Sequence, residues 1–272
     1  MTQPEHTLAA EPGRERTPVV CLHHASFGYD GASAARADLV VHAGEVVALL
    51  GANGSGKSTI VKGMLGLIDH LDGDVEWFGQ PMAAFRERWR VGYVPQRELA
   101  ASPVPSTLEE VVRSGRVARV GLLGRYRSAD RRAVAQAIHT VGLDDRRRTP
   151  VRQLSGGQQR RALVARALAG DAEVLVLDEP FAGVDHDSQE ALAATFRDLA
   201  ASGVTLIIVL HEIGPLEGVV TRSICLDGGV VLYDGPPGQR PSSMADDPDP
   251  HGGHDHHHSA EHDQRSRLGL LP

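Results

Sequence analysis

The chain has 272 residues, 41% of them hydrophobic, with 28 Lys and Arg against 35 Asp and Glu for a formal net charge of −7. That length can bury one large core or two small ones; the ordinary composition excludes wholesale disorder, and the mild acidity argues against a dedicated nucleic-acid binder, which would present a basic face. No apolar run approaches the ~20 residues needed to span a bilayer, and one count is unusual: 14 His, six of which fall between His251 and His262.

Residues 1–16 carry Pro4, Pro12, Gly13 and scattered charge, and read as a disordered lead-in without the apolar centre of a secretory signal. A cytosolic protein is the default expectation. Strand-like runs follow at Val19–Leu22 and Leu39–Val41, and then at Val46–Leu50, a continuous apolar run bounded by Gly44 and Gly51 as expected of a strand buried on both faces. From Lys57 the period turns helical, with Ile60, Met64, Leu67 and Ile68 on one face. Residues 74–78 read as a short strand. Residues 97–150 differ in texture: many arginines, a helix-period segment at 133–141, and breaks at Pro103, Pro105, Gly121 and Gly124 predict an inserted helical subdomain.

Alternating texture resumes with a helix at 158–169, a strand at 174–177, a helix at 187–201 stopped by Gly203, a strand at 204–210 and a strand pair near 224–226 and 230–232. Alternating helices and Val/Ile/Leu-rich strands predict an α/β fold with a mostly parallel sheet covered on both faces. Cys21 and Cys225 sit in apolar strand-like runs and read as buried, reduced thiols. The composition changes again at Pro236. Residues 241–272 carry two basic and six acidic residues, rich in Pro, Gly and His, and read as a flexible tail beyond a domain at 17–240.

Gly51-Ala52-Asn53-Gly54-Ser55-Gly56-Lys57-Ser58-Thr59 matches G-x-x-x-x-G-K-[ST] and lies between a buried strand and an amphipathic helix, the context the motif requires. Its glycines let backbone N–H groups turn inward around phosphate oxygens, and the helix N-terminus adds the positive end of its dipole. Lys57 supplies a full charge to the β and γ oxygens, and the Ser58 hydroxyl suits Mg²⁺. A nucleoside triphosphate is therefore the expected ligand. Val174–Leu177 leads into Asp178-Glu179, two acids at a strand end. In phosphate-loop folds that strand is expected beside the one feeding the loop, where Asp178 would hold Mg²⁺ and Glu179 would polarise the attacking water as general base.

Leu154-Ser155-Gly156-Gly157-Gln158-Gln159 precedes a run of good helix formers about twenty residues before the acidic strand. Alone it reads equally as a Ser N-cap on an ordinary helix. The phosphate loop, LSGGQQ and VLVLDEP in this order and spacing resemble the ATP-binding cassette ATPases over roughly residues 17–235. That resemblance implies ATP and Mg²⁺ as ligands and a phosphate-loop core carrying an N-terminal antiparallel β subdomain and an inserted helical subdomain. It also implies roles residue by residue. Tyr29 resembles the aromatic that stacks on adenine, and Gln96, in Val94-Pro95-Gln96, the glutamine that reaches Mg²⁺ and links the nucleotide to the helical subdomain. Asp185, in Ala182-Gly183-Val184-Asp185, resembles the loop that communicates between paired sites, although Ala182 stands where serine is commoner. His211 resembles the switch histidine at the γ-phosphate; Glu212 reads as solvated. Ser155, Gly156, Gly157 and Gln158 would face the γ-phosphate held by a second copy of the chain, in a head-to-tail dimer with two composite sites.

Three members of that family fit: a transporter ATPase, a mechanical ATPase acting on ribosomes or DNA, and a non-transport assembly ATPase. A single cassette with about 100 residues between Gly51 and Leu154 favours the first. The stretch 180–185 and the region from Gly124 to Arg132 resemble ATPases of zinc/manganese importers, although the helical region is shorter than in those proteins. The resemblance implies an integral membrane permease, an extracytoplasmic metal-binding protein, no nucleic acid, and a place on the cytoplasmic face of the membrane. Another metal-directed feature is independent of it. His251, His254, His256, His257, His258 and His262 offer imidazole donors on a flexible segment that could gather around Zn²⁺; the competing reading is a polar low-complexity tail.

Overall fold

The structure, a computed structural model, describes residues 17–96, 105–121 and 124–238. The lead-in at 1–16, the first part of the helical segment at 97–104, and the tail at 241–272 with its six histidines lie outside the described residues.

The first sheet is antiparallel. Strands β1 (Pro18–Tyr29) and β2 (Ala32–His42) form a hairpin closed by Asp30-Gly31, both at positive φ as a two-residue hairpin turn demands. Strands β4 (Asp69–Trp77) and β5 (Gln80–Pro81) complete the order β2-β1-β4-β5. These strands are longer than the apolar runs suggest. Register shifts between Leu22 and Ala25, with His24 at φ 49, break the alternation and place two exposed histidines mid-strand, which hides the continuation in the sequence.

The second sheet has six strands in the order β10 (Val230–Gly235), β9 (Arg222–Asp227), β3 (Val46–Leu50), β8 (Thr205–Val209), β7 (Val174–Asp178), β6 (Val91–Val94). Only β9 and β10 pair antiparallel. Every residue of β3, β7 and β8 is buried. One expectation fails here: β7 does not lie beside β3, because β8 pairs with both and stands between them. Which of three equally apolar strands takes the centre is a matter of crossover connections, and local composition does not encode it. The consequence is functional. The segments leaving β3, β8, β7 and β6 emerge side by side along one carboxyl-terminal edge, where open α/β sheets bind ligands.

Helix α1 (Lys57–Met64) is shorter than the apolar period predicts. Gly66 at φ 69, with Gly66 N–H donating to Gly63 O and Leu67 N–H donating to Lys62 O, closes the helix as a Schellman turn, so Leu67 is 56% exposed rather than packed. The helical segment comprises α2 (Leu108–Ser114), α3 (Val117–Val120) and α4 (Ser128–Thr140), with α2 and α4 packed on α5 (Gly156–Ala169). Buried Arg116 donates to Asp130, to Ala169 O at 2.9 Å and to Asp171 at 2.8 Å, tying this segment to the end of α5. Helix α6 (His186–Ala201) follows β7 and buries Leu192, Phe196 and Leu199. Cys225 is buried and Cys21 half-buried, and neither is in a disulfide. Among the described residues no helix is long and apolar enough to cross a membrane.

The seating of α1 on the first sheet sets where the phosphate loop points, and Gly63 controls it. A Cβ at Gly63 would meet the Phe27 ring at 2.2 Å, and Phe27 is fully buried. Ala is intrinsically about 1 kcal/mol better than Gly in a helix, yet we expect Gly63→Ala to lower stability by roughly 1–3 kcal/mol through overpacking. Urea unfolding measures this; a gain in stability would contradict the packing.

Candidate active site

The turn from β3 into α1 is built for an anion. Gly54 and Gly56 sit at φ 80 and 97, which L side chains rarely adopt. A Cβ on Gly51 would lie 2.3 Å from Leu226 O, so only glycine fits there. The loop is braced from outside by the β9–β10 turn, where Gly229 N–H donates to Ser55 O at 3.1 Å. Helix α1 has no side-chain cap and no acid in its first turn, leaving its N–H groups to an external acceptor. The Ser55 hydroxyl is buried without a partner, an orphaned donor inside the same loop. These features fit phosphate oxygens.

Lys57, 4% exposed, donates from Nζ to Gly51 O at 2.8 Å and Ala52 O at 2.7 Å, so its ammonium is held inside the loop. Burial pushes it below the usual lysine range, while the carboxylates of Glu179 and Asp178 pull it back. Next to it, the Ser58 hydroxyl donates to Asp178 Oδ1 at 2.9 Å across 120 residues of sequence. Asp178 is 3% exposed, and its Oδ2 accepts a longer contact of 3.4 Å from the Tyr93 hydroxyl. A hydroxyl and a carboxylate side by side form a hard oxygen pair of the kind Mg²⁺ takes. Tyr93 carries no motif and is missed by sequence reasoning. Burial, with Asp178 adding to it, pushes its phenol up to about 12, so it stays protonated and a donor.

Glu179 stands at φ 49, a left-handed conformation that costs an ordinary residue roughly 1–3 kcal/mol. Its N–H donates to Val209 O at 3.2 Å, which fixes the turn. The turn brings the carboxylate to two partners from other strand ends. Gln96, just after β6, donates from Nε2 to Glu179 Oε2 at 2.6 Å, and His211, just after β8, places Nε2 3.3 Å from Oε1. A carboxylate flanked by an amide and an imidazole can accept a proton from water and keep its orientation meanwhile.

The LSGGQ residues are organised as a helix start. Ser155 Oγ accepts from Gln158 N–H at 3.2 Å, and Gln158 Oε1 accepts from Ser155 N–H at 3.0 Å, a complete capping box on α5. Among the described residues the side-chain hydrogen bonds of Ser155 and Gln158 stay within this cap, and neither reaches the phosphate loop. Gly157 packs under α6: a Cβ there would meet the Ser188 side chain at 2.3 Å. Asp185 caps α6 by accepting from Ser188 N–H at 3.0 Å, a bond that holds its carboxyl below the ordinary range. Ser188 thus joins Asp185 to the LSGGQ turn. Arg160, one turn further along α5 and 6% exposed, donates to Pro95 O at 2.9 Å. Tyr29 ends β1 48% exposed, Thr59 lies in the first turn of α1, and Glu212 is exposed.

Fold and site together define a phosphate-loop ATPase. The sequence profile of the ABC transporter family matches residues 35–182. The chain is 38% identical to the manganese transport system ATP-binding protein MntB of Bacillus subtilis strain 168, over 66% of this chain and 71% of that protein. It is 35% identical to the zinc transport system ATP-binding protein TroB of Treponema pallidum strain Nichols, over 71% and 72%. Among solved structures, a nucleotide-free ATP-binding cassette from an ABC transporter superposes with a TM-score of 0.71 at 18% identity, covering 80% of this chain and 91% of that one, a likeness of fold. The chain belongs to the ABC transporter family; its chemistry is ATP hydrolysis with Mg²⁺.

The Gly157–Ser188 contact yields a paired test. Gly157→Ala should reduce ATPase turnover about tenfold or more, because the methyl collides with α6 and shifts the capping box. Gly157→Ala with Ser188→Gly should recover most of that loss. Steady-state ATPase assays decide; a double variant no better than the single one would remove Ser188 from the account.

Proposed function

We propose that the chain is the ATP-hydrolysing subunit of a transporter that imports divalent metal ions, zinc or manganese. The observation that carries the hydrolytic part is the convergence of Gln96, at 2.6 Å, and His211, at 3.3 Å, on the Glu179 carboxylate, next in sequence to Asp178 of the Ser58–Asp178 pair. The relatives named for manganese and zinc transport support the metal.

In this reading the N–H groups of Gly51 to Thr59 cradle the phosphates, with Asn53, Gly54, Ser55 and Gly56 shaping the loop and Lys57 swinging from the Gly51 and Ala52 carbonyls onto the β and γ oxygens. Tyr29 stacks on the adenine. Ser58, Asp178 and Gln96 are the residues that would hold Mg²⁺, which supplies charge neutralisation of the β and γ phosphate oxygens. Glu179 accepts the proton of the attacking water, and His211 orients the Glu179 carboxylate and meets the γ-phosphate. Positioning and charge supply most of the rate.

Ser155, Gly156, Gly157 and Gln158 present a donor-rich helix start to the nucleotide on a second copy of the chain, and Asp185 lies at the junction between the two sites. A head-to-tail dimer with twofold symmetry then holds two composite sites. The dimer docks on an integral membrane permease from the cytoplasmic face, and an extracytoplasmic metal-binding protein delivers the ion. The tail histidines His251, His254, His256, His257, His258 and His262, which lie outside the described residues, gather Zn²⁺ as a sensor or buffer.

Two experiments test this. Glu179→Gln should keep ATP binding, trap the dimer and cut turnover by at least about a hundredfold; size-exclusion chromatography with ATP and an ATPase assay read both, and wild-type rates would remove Glu179 as the base. For the metal, cells lacking the chain should lose uptake of radiolabelled zinc or manganese. Deleting residues 241–272 should leave basal ATPase intact while lowering the zinc bound per chain. Uptake of neither ion affected would overturn the substrate; unchanged zinc stoichiometry would overturn the tail.

A further inference from the structure

We infer that Arg160 is a positioning residue that ties helix α5 to Gln96, and so carries the state of one composite site to the base of the other. The inference rests on the roles of Gln96 and Glu179 proposed above. Arg160 lies five residues beyond the Ser155 cap, is 6% exposed, and donates from Nη1 to Pro95 O at 2.9 Å. The two residues are 65 apart in sequence, and this bond joins α5 to the end of β6, the edge strand of the six-stranded sheet.

Pro95 has a fixed φ and no N–H, so its carbonyl is the handle by which the following peptide is held. That peptide carries Gln96, whose Nε2 lies 2.6 Å from Glu179 Oε2. A chain of direct contacts therefore runs from the Ser155 cap along α5 to Arg160, then Pro95, Gln96 and Glu179. When the Ser155 end of α5 engages the nucleotide on a second copy, any shift of the helix acts on Pro95 through a buried guanidinium, and on the Glu179 carboxylate through Gln96. Arginine suits the task because its planar head makes directional bonds from a rigid fork. A displacement well under an ångström at Gln96 is enough to misalign a base and its water.

A double-mutant cycle separates this role from a structural one. Arg160→Gln, Gln96→Ala and the double variant are compared for ATPase kcat and KM, with thermal unfolding and fluorescent-ATP binding as controls. Arg160→Gln should lower kcat about tenfold or more with KM, nucleotide binding and melting temperature near wild type. In the Gln96→Ala background the same substitution should change kcat by less than about twofold, since its route to Glu179 is already cut. Arg160→Lys, which keeps a donor, should recover part of the loss. Losses that multiply in the double variant, or an Arg160→Gln protein that also loses ATP binding or melts early, would overturn the inference. Gln96→Ala at wild-type turnover would instead overturn the proposed role of Gln96, a separate result.

Discussion

The hydrogen bond from Ser58 to Asp178 is the contact on which the rest of the site depends. It spans 2.9 Å between α1, the helix that follows β3, and β7, and β3 and β7 are not neighbours in the sheet. It exists because β3, β8, β7 and β6 run parallel and end together, so segments remote in sequence leave the sheet at one edge. The intervening strand β8 also contributes. Its position next to β7 delivers His211 to within 3.3 Å of the Glu179 carboxylate. A sheet with β7 directly against β3 would leave no strand end to carry that histidine.

Around this contact the chain spends stability locally for geometry. Glu179 is held in a left-handed turn, Lys57 is buried on backbone carbonyls, and the Ser55 hydroxyl is left without a partner. Each is unfavourable in isolation, and each is supported by the fully buried strands behind it. Strain of this kind is tolerated where the surrounding structure over-determines it. The helical layer is joined to this edge by the bond of buried Arg160 to Pro95, while Arg116 anchors it at the far end of α5 through Ala169 and Asp171.

The phosphate loop was fully legible in the sequence, because the chemistry needs a local string of glycines, a lysine and a hydroxyl at fixed spacing. Asp178 and Glu179 were legible as a pair, and so was the helix start at Ser155, whose capping box is a local pattern. What escaped depends on distance in sequence. The position of β8, the support of Asp178 by Tyr93 and the bond from Arg160 to Pro95 join residues far apart in the chain. No local pattern announces them. The early end of α1 was missed for the opposite reason: Leu67 and Ile68 continue the apolar period beyond a glycine turn that had already stopped the helix. In β1, a bulge at His24 disguised one long strand as a short one.

In the proposed dimer each site needs the phosphate loop of one chain and the Ser155 turn of another. Mixing two inactive variants, Lys57→Ala and Ser155→Arg, tests it most directly. In the mixed dimer one site combines both lesions, and the other combines an intact loop with an intact Ser155 turn. ATPase activity should therefore return on mixing, to about a quarter of the wild-type rate when the chains pair at random. A mixture as inactive as its components would contradict the composite site.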